Sequence, residues 1–126
     1  MEKIGRSYVT LPLMGALAVG AGVVAFVAPR PMRISGAQLV LKATGTGAGN
    51  TTAQIKVGAN NILKADLTIA GAAATKYVKQ SAKGGGVPSG YDVNEGDVIT
   101  VDITAIPATT APTDGYVILH IAQVEV

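Results

Sequence analysis

The sequence predicts an all-β fold, an antiparallel β-sandwich or jelly roll of about eight strands with an extended N-terminal arm, and three observations point to it. Apolar and polar residues alternate at period two in several stretches, as half-buried strands require. Clusters of Gly, Asn, Asp and Pro recur at intervals of roughly 10 to 15 residues, which is turn spacing for a sandwich or barrel. No segment carries a helical period long enough to stand alone.

Residues 11–28 are apolar and rich in Gly and Ala. A secretory signal is one reading, because Lys3 and Arg6 precede the stretch and Ala25-Phe26-Val27-Ala28 resembles a small-residue cleavage site. A membrane span is another, but Pro12, Gly15, Gly20 and Gly22 interrupt it and a span needs ~20 predominantly apolar residues. The third is a pair of strands, 7–13 and 23–28, joined by a flexible Gly/Ala segment. Tyr8, Thr10 and the β-branched Val23-Val24 favour this last reading. The chain then divides into an apolar arm and first strand over residues 1–22 and a β-sandwich domain over 23–126, with membrane contact not expected.

Pro29 and Pro31 close the opening and exclude a helix there. A long strand follows over 32–43, with Leu39 and Leu41 facing the core and Gly36 placed where a bulge could shift the register. Alternating glycines mark 44–50 as a mobile loop. Ala53, Ile55 and Val57 then alternate with Gln54 and Lys56, and Gly58-Ala59-Asn60-Asn61 is hairpin chemistry. The return strand is read over 62–69, with Leu63, Ala65, Leu67 and Ile69 on one face. Residues 70–74 form a turn and 83–90 an exposed loop. Asn94-Glu95-Gly96-Asp97 is a tight turn before a strand over 98–105, and a Pro/Thr connection leads to a last strand over 115–126 with Val117, Leu119, Ile121 and Val124 inward.

Composition narrows the function. The 126 residues suit one domain, and charged residues are 14% of them, against about 25% in an ordinary soluble domain. Much of the surface is therefore neutral, which suits an assembly better than a free monomer. Net charge is +2 with no basic run beside aromatics, so a nucleic-acid partner is not expected. Absence of Cys removes disulfides and thiolate chemistry. His120 is the single histidine, which excludes paired-histidine catalysis and multi-histidine metal sites and leaves it a structural or surface role. Asp92, Glu95, Asp97 and Asp102 cluster in sequence as calcium ligands do, yet they follow no EF-hand pattern, and turn or solvent roles explain them better. Gly84-Gly85-Gly86 lacks the Gly-Lys-Ser/Thr of a phosphate loop, and Ser7, Ser35, Ser81 and Ser89 lack a nucleophile elbow. No catalytic, metal or cofactor residue is assigned.

The runs Val23-Val24-Ala25-Phe26-Val27-Ala28-Pro29, Ile34-Ser35-Gly36-Ala37, Ala53-Gln54-Ile55-Lys56-Val57-Gly58 and Asn94-Glu95-Gly96-Asp97-Val98-Ile99-Thr100-Val101 resemble small β-sandwich proteins of tailed-phage virions. These include capsid decoration or cement proteins and domains of head or tail fibres. The resemblance transfers no functional residue. It implies a non-enzymatic virion protein at the capsid surface, binding the major capsid protein, bridging capsid subunits and forming a homo-oligomer, with no cofactor, small-molecule substrate or nucleic acid. The arginines lie only in the first 33 residues, and arginine is enriched at interfaces. With the arm they make Arg6, Tyr8, Leu11, Leu13, Arg30 and Arg33 the candidate protein interface. A fibre, tail or carbohydrate-recognition module is the alternative, and a membrane-anchored surface protein a further one.

Overall fold

A computed structural model of the chain describes residues 3–84 and 90–125. Ten strands and no helix occur among them: β1 (Lys3–Ala16), β2 (Gly20–Val27), β3 (Met32–Ala43), β4 (Asn50–Val57), β5 (Asn60–Asn61), β6 (Leu67–Ala70), β7 (Tyr77–Ser81), β8 (Tyr91–Val93), β9 (Val98–Ala105) and β10 (Thr113–Glu125). One sheet runs β1-β10-β3-β7 with β8 also on β3; the second runs β2-β9-β4-β5 with β6 also on β4. We call them sheets A and B. Every pairing is antiparallel. Taking β5/β6 and β7/β8 each as one interrupted strand leaves eight strands that cross between the sheets at every step except from β4 to β5/β6, in the order of a jelly roll.

The core lies between the sheets and follows from the pleat. Leu11, Leu13, Ile34, Leu39, Leu41, Val117, Leu119 and Ile121 point inward from sheet A, and Ile55, Leu67, Ile69, Ile99, Val101 and Ile103 from sheet B. At ~25 cal/mol per Å² of apolar area removed from water, this double layer of aliphatic side chains is the main force holding the sheets together.

The parity of β3 changes along its length. Met32 and Ile34 face inward at even positions, and Ala37, Leu39 and Leu41 at odd ones. The change is a bulge, since His120 pairs with Gly36 while the next residue, Ile121, pairs with Ile34, leaving Ser35 without a partner on β10. The Ser35 hydroxyl donates to the His120 carbonyl at 3.2 Å. Glycine is required next to it, because a Cβ on Gly36 would come within 2.6 Å of the Gln80 carbonyl oxygen on β7.

Residues 11–28, read as strands, fold as β1 and β2, which occupy the same edge of the sandwich, one in each sheet. No helix among the described residues is long and apolar enough to cross a membrane. The return strand expected over 62–69 is instead broken. After β5 the chain leaves sheet B, Leu63 bridges to Ala82, the Lys64 N–H donates to the Ser81 carbonyl, and only at Leu67 does pairing with β4 resume. Ala65, expected inward, is exposed at this crossing. The 44–50 loop is irregular, as glycine alternation predicts, but six backbone hydrogen bonds tie residues 45–49 to the neighbouring 71–72 and 108–110 segments. That lacing contradicts a free loop. Residues 85–89, the centre of the exposed loop expected over 83–90, lie outside the described residues.

Gly36→Ala is expected to lower the unfolding free energy by about 1–3 kcal/mol through steric overlap at the bulge. Gly20→Ala, whose Cβ would meet nothing nearer than a Val23 methyl at 3.4 Å, serves as the control with little change. Chemical denaturation of the two variants checks the difference.

Candidate interaction surface

The same alternation that buries Leu39, Leu119 and Leu11 turns their neighbours outward, and on sheet A those neighbours line up across four strands. Pro12 of β1 pairs with Tyr116 of β10, Tyr116 with Val40 of β3, and Val40 with Tyr77 of β7. One row over, Thr10, Ile118, Gln38 and Lys79 align, and beyond them Tyr8, His120, Gly36 and Ser81. Adjacent strands are about 4.8 Å apart, so the Pro12-to-Tyr77 row is about 14 Å long. Tyr8, Tyr77 and Tyr116 are 65%, 58% and 39% exposed, and Met14 beyond them 86%. Three of the four tyrosines are thus spent on one outer face.

Tyr8 packs its ring edge-on against His120, with centroids 5.0 Å apart and planes at 84°. The histidine's Nε2 is buried without a hydrogen-bond partner. Burial, and secondarily the Lys79 charge, hold its pKa below the ordinary value, so it is neutral at pH 7.

The expected interface residues separate. Tyr8 stands on the exposed face. Leu11 and Leu13 do not, because their parity on β1 is inward and each is 5% exposed within the core; they support the strand rather than contact a neighbour. Arg33 Nε bonds the Asp92 carboxylate at 2.7 Å across the β3–β8 pair. Arg30 is exposed in the turn between β2 and β3. The backbone of Arg6 lies in β1 opposite Ala122, and its side chain is outside the described residues. Arg6 and Arg33 flank Ala122 in the row of sheet A next to Tyr8 and His120, while Leu11 and Leu13 lie in the core and Arg30 in a turn, so the six do not form one patch. Tyr77 and Tyr116 were not among them, although each sits at an outward position in a period-two strand, which is the signal that reveals them.

The four carboxylates that cluster in sequence are dispersed. Asp92 pairs with Arg33 on sheet A, and Asp97 accepts the Asn94 N–H at 3.0 Å inside its own turn. Asp102 faces outward on sheet B and is nearly buried. Its carboxylate accepts the Gly22 N–H at 2.7 Å and the Lys56 ammonium at 3.1 Å. Gly22 has φ +60° and lies inside the register shift between Gly20 and Val24, so Asp102 clasps a bulge that only glycine enters without strain. The Gly22 bond, then Lys56, hold the Asp102 carboxyl below the usual carboxylate range against the opposing effect of burial. Nearby Asp66 accepts amide hydrogens from Gln54 and Asn61. Among the described residues no three His, Cys, Asp or Glu side chains converge as a metal site would require.

No protein-family model matches the sequence, and no curated protein matches it. In fold the chain is similar to a chain of the capsid asymmetric unit of cyanophage Pam1, with a TM-score of 0.58 and 15% identity over 96% of this chain and 84% of that one. It is also similar to a chain of the acidic stable capsid of Helicobacter pylori bacteriophage KHP30, with a TM-score of 0.57 and 13% identity over 100% of this chain and 99% of that one. At such identities the likeness establishes the fold, an all-β sandwich shared over almost the whole length.

Two pH-dependences follow. Asp102 has a lowered folded pKa, so its stabilisation is present above the ordinary carboxylate range near pH ~4 and is lost as pH falls through the folded value. Asp102→Asn should cost about 1.5–3 kcal/mol at pH 7 and flatten this acid limb in denaturation series. His120 also has a lowered folded pKa, so below about 6.5 the unfolded chain takes up a proton that the native one refuses. Stability should decline from there down to the folded value and then level, and His120→Gln should abolish that step.

Proposed function

We propose that the chain is a non-enzymatic structural protein of a phage virion, bound at the capsid surface, where copies bridge and stabilise subunits of the shell. The observation that carries this reading is the match of the entire fold to chains from two phage capsids, one of them covered over 99% of its length, so that capsid component is itself little more than this one sandwich. The chemistry of the two outer faces supports it. The exposed side chains at the middle of sheet A are mostly aromatic and aliphatic, with Lys79 among them, and the acidic groups of sheet B are engaged with Lys56, Gln54 and Asn61 instead of facing a cleft. The decorating arrangement also suits a small domain with few charges, which exposes a neutral surface that needs covering.

Quantitative mass spectrometry of purified virions from the phage that encodes the chain is the test. The proposal predicts copy numbers comparable to the major capsid protein, and shells that lose heat resistance when the gene is deleted. A handful of copies per particle, as a fibre or tail tip would show, or absence from the virion contradicts it.

A further inference from the structure

The two outer faces of the sandwich are built differently, and the difference singles out the partner. On sheet B the outward residues of β4, β5, β6 and β9 make their own polar network, Asp102 with Gly22 and Lys56, Asp66 with Gln54 and Asn61, and the Thr104 hydroxyl with the Thr52 carbonyl, and the exposed apolar side chains are the small valines Val23, Val27 and Val98 toward the β2 edge. Groups that satisfy one another in this way stand in water at little cost. On sheet A the polar contacts of outward side chains lie toward one end, Arg33 with Asp92 and the Ser35 hydroxyl with the His120 carbonyl, and the middle of the face is apolar and aromatic. Pro12, Tyr116, Val40 and Tyr77 cross all four strands, with Ile118 alongside and Met14 and Tyr8 at the β1 edge. Taking about 200 Å² for a tyrosine side chain, the three exposed tyrosines alone leave about 300 Å² of ring surface in solvent. That alone reaches the size of the largest patch on an ordinary monomer, roughly 300–600 Å², before Met14, Pro12 and Ile118 are added.

Charge identifies what covers it. Among the described side chains the cations of this face are Lys79, inside the patch beside Gln38, Lys42 at its margin, and Arg33, which is paired with Asp92. The two carboxylates nearby are already committed, Asp92 to Arg33 at one end and Asp114 to the Gly15 N–H at 2.8 Å at the other. Two copies apposed through this face would bring Lys79 and Lys42 together, and among the described side chains only Asp92, already paired with Arg33, and Asp114 at the far end could answer them. A partner that matches it is flat, apolar at its centre and acidic around it. Aromatic anchors ringed by complementary charge are the usual composition of a strong interface.

We propose that the outer face of sheet A, centred on Tyr77, Tyr116 and Tyr8 with Lys79, docks the chain onto an acidic, apolar-centred surface of the capsid shell subunit. This identifies the binding face and the partner's chemistry within the function proposed above, on which it rests. Sheet B is then the face left to solvent.

The test is co-sedimentation with shells purified from the encoding phage and stripped of this protein, using wild type, Tyr77→Ser, Lys79→Glu and, on the exposed face of β6, Thr68→Glu. Thermal unfolding establishes that each variant is folded. Lys79 is exposed, so its reversal leaves the core untouched. The inference predicts that Tyr77→Ser and Lys79→Glu each weaken binding by about tenfold or more with unchanged unfolding, and that Thr68→Glu binds as wild type. Equal binding by all four proteins overturns the docking face while leaving the virion role standing. Failure of wild type to bind the shells overturns the virion role and this face with it. Sedimentation of free wild type as a dimer that Tyr77→Ser dissociates overturns the assigned partner in favour of a second copy.

Discussion

Everything on sheet A depends on one extra residue in β3. This strand is central: it pairs with β10 on one side and with both β7 and β8 on the other. A regular strand cannot bury both Ile34 and Leu39, because they have opposite parity. The unpaired Ser35, with Gly36 admitting the backbone of β7, resets the pleat between them. The consequence reaches the surface. The same reset brings Gln38, Val40 and Lys42 to the outside, in line with Tyr116 and Tyr77, so the aromatic row and the core below it are two readings of a single register.

Sheet B has its counterpart in the Asp102 clasp. The edge strand β2 would otherwise present an unbroken run of small apolar residues to any passing strand, the hazard of a free edge. The register shift at Gly22, fastened by a nearly buried carboxylate from β9, bends it instead. At one end of the sandwich the 45–49 loop is laced to its neighbours by backbone hydrogen bonds rather than by bulk, which suits a chain with few large side chains. The fold is thus held by aliphatic burial between the sheets and by specific backbone contacts around the margins. Its two exteriors are left with different characters, one a polar network bordered by valines and one aromatic at its middle.

Local pattern was enough to recover elements whose partners impose nothing unusual. The bounds of β3 and β9 follow from period-two alternation between Pro31 and the glycine loop and between Asp97 and Ile106, and the bulge was visible as a glycine set where the parity slips. What escaped was decided by residues distant in sequence. Ala65 fits a strand pattern, but the chain there crosses to reach Ala82. Asp102 looked like a turn or solvent carboxylate because its partner Gly22 lies 80 positions away. The place of Leu11 and Leu13 in an apolar arm suggests an interface, whereas their parity beside Tyr8 and Pro12 puts them in the core. Tyr77 and Tyr116 become one surface only through two strand pairings that no local reading supplies.

The central claim is that the aromatic exterior of sheet A is a covered surface in the virion. Hydroxyl-radical footprinting of the free protein and of the protein bound to capsid shells tests it directly, since tyrosine and methionine side chains are reactive and Tyr8, Met14, Tyr77 and Tyr116 are all exposed in the free chain. The account predicts strong protection of Tyr77, Tyr116 and Tyr8 on binding, with Val23 and Val27 of β2 as reactive as before. Unchanged oxidation of the tyrosines, with protection moving to the sheet B side, would contradict it.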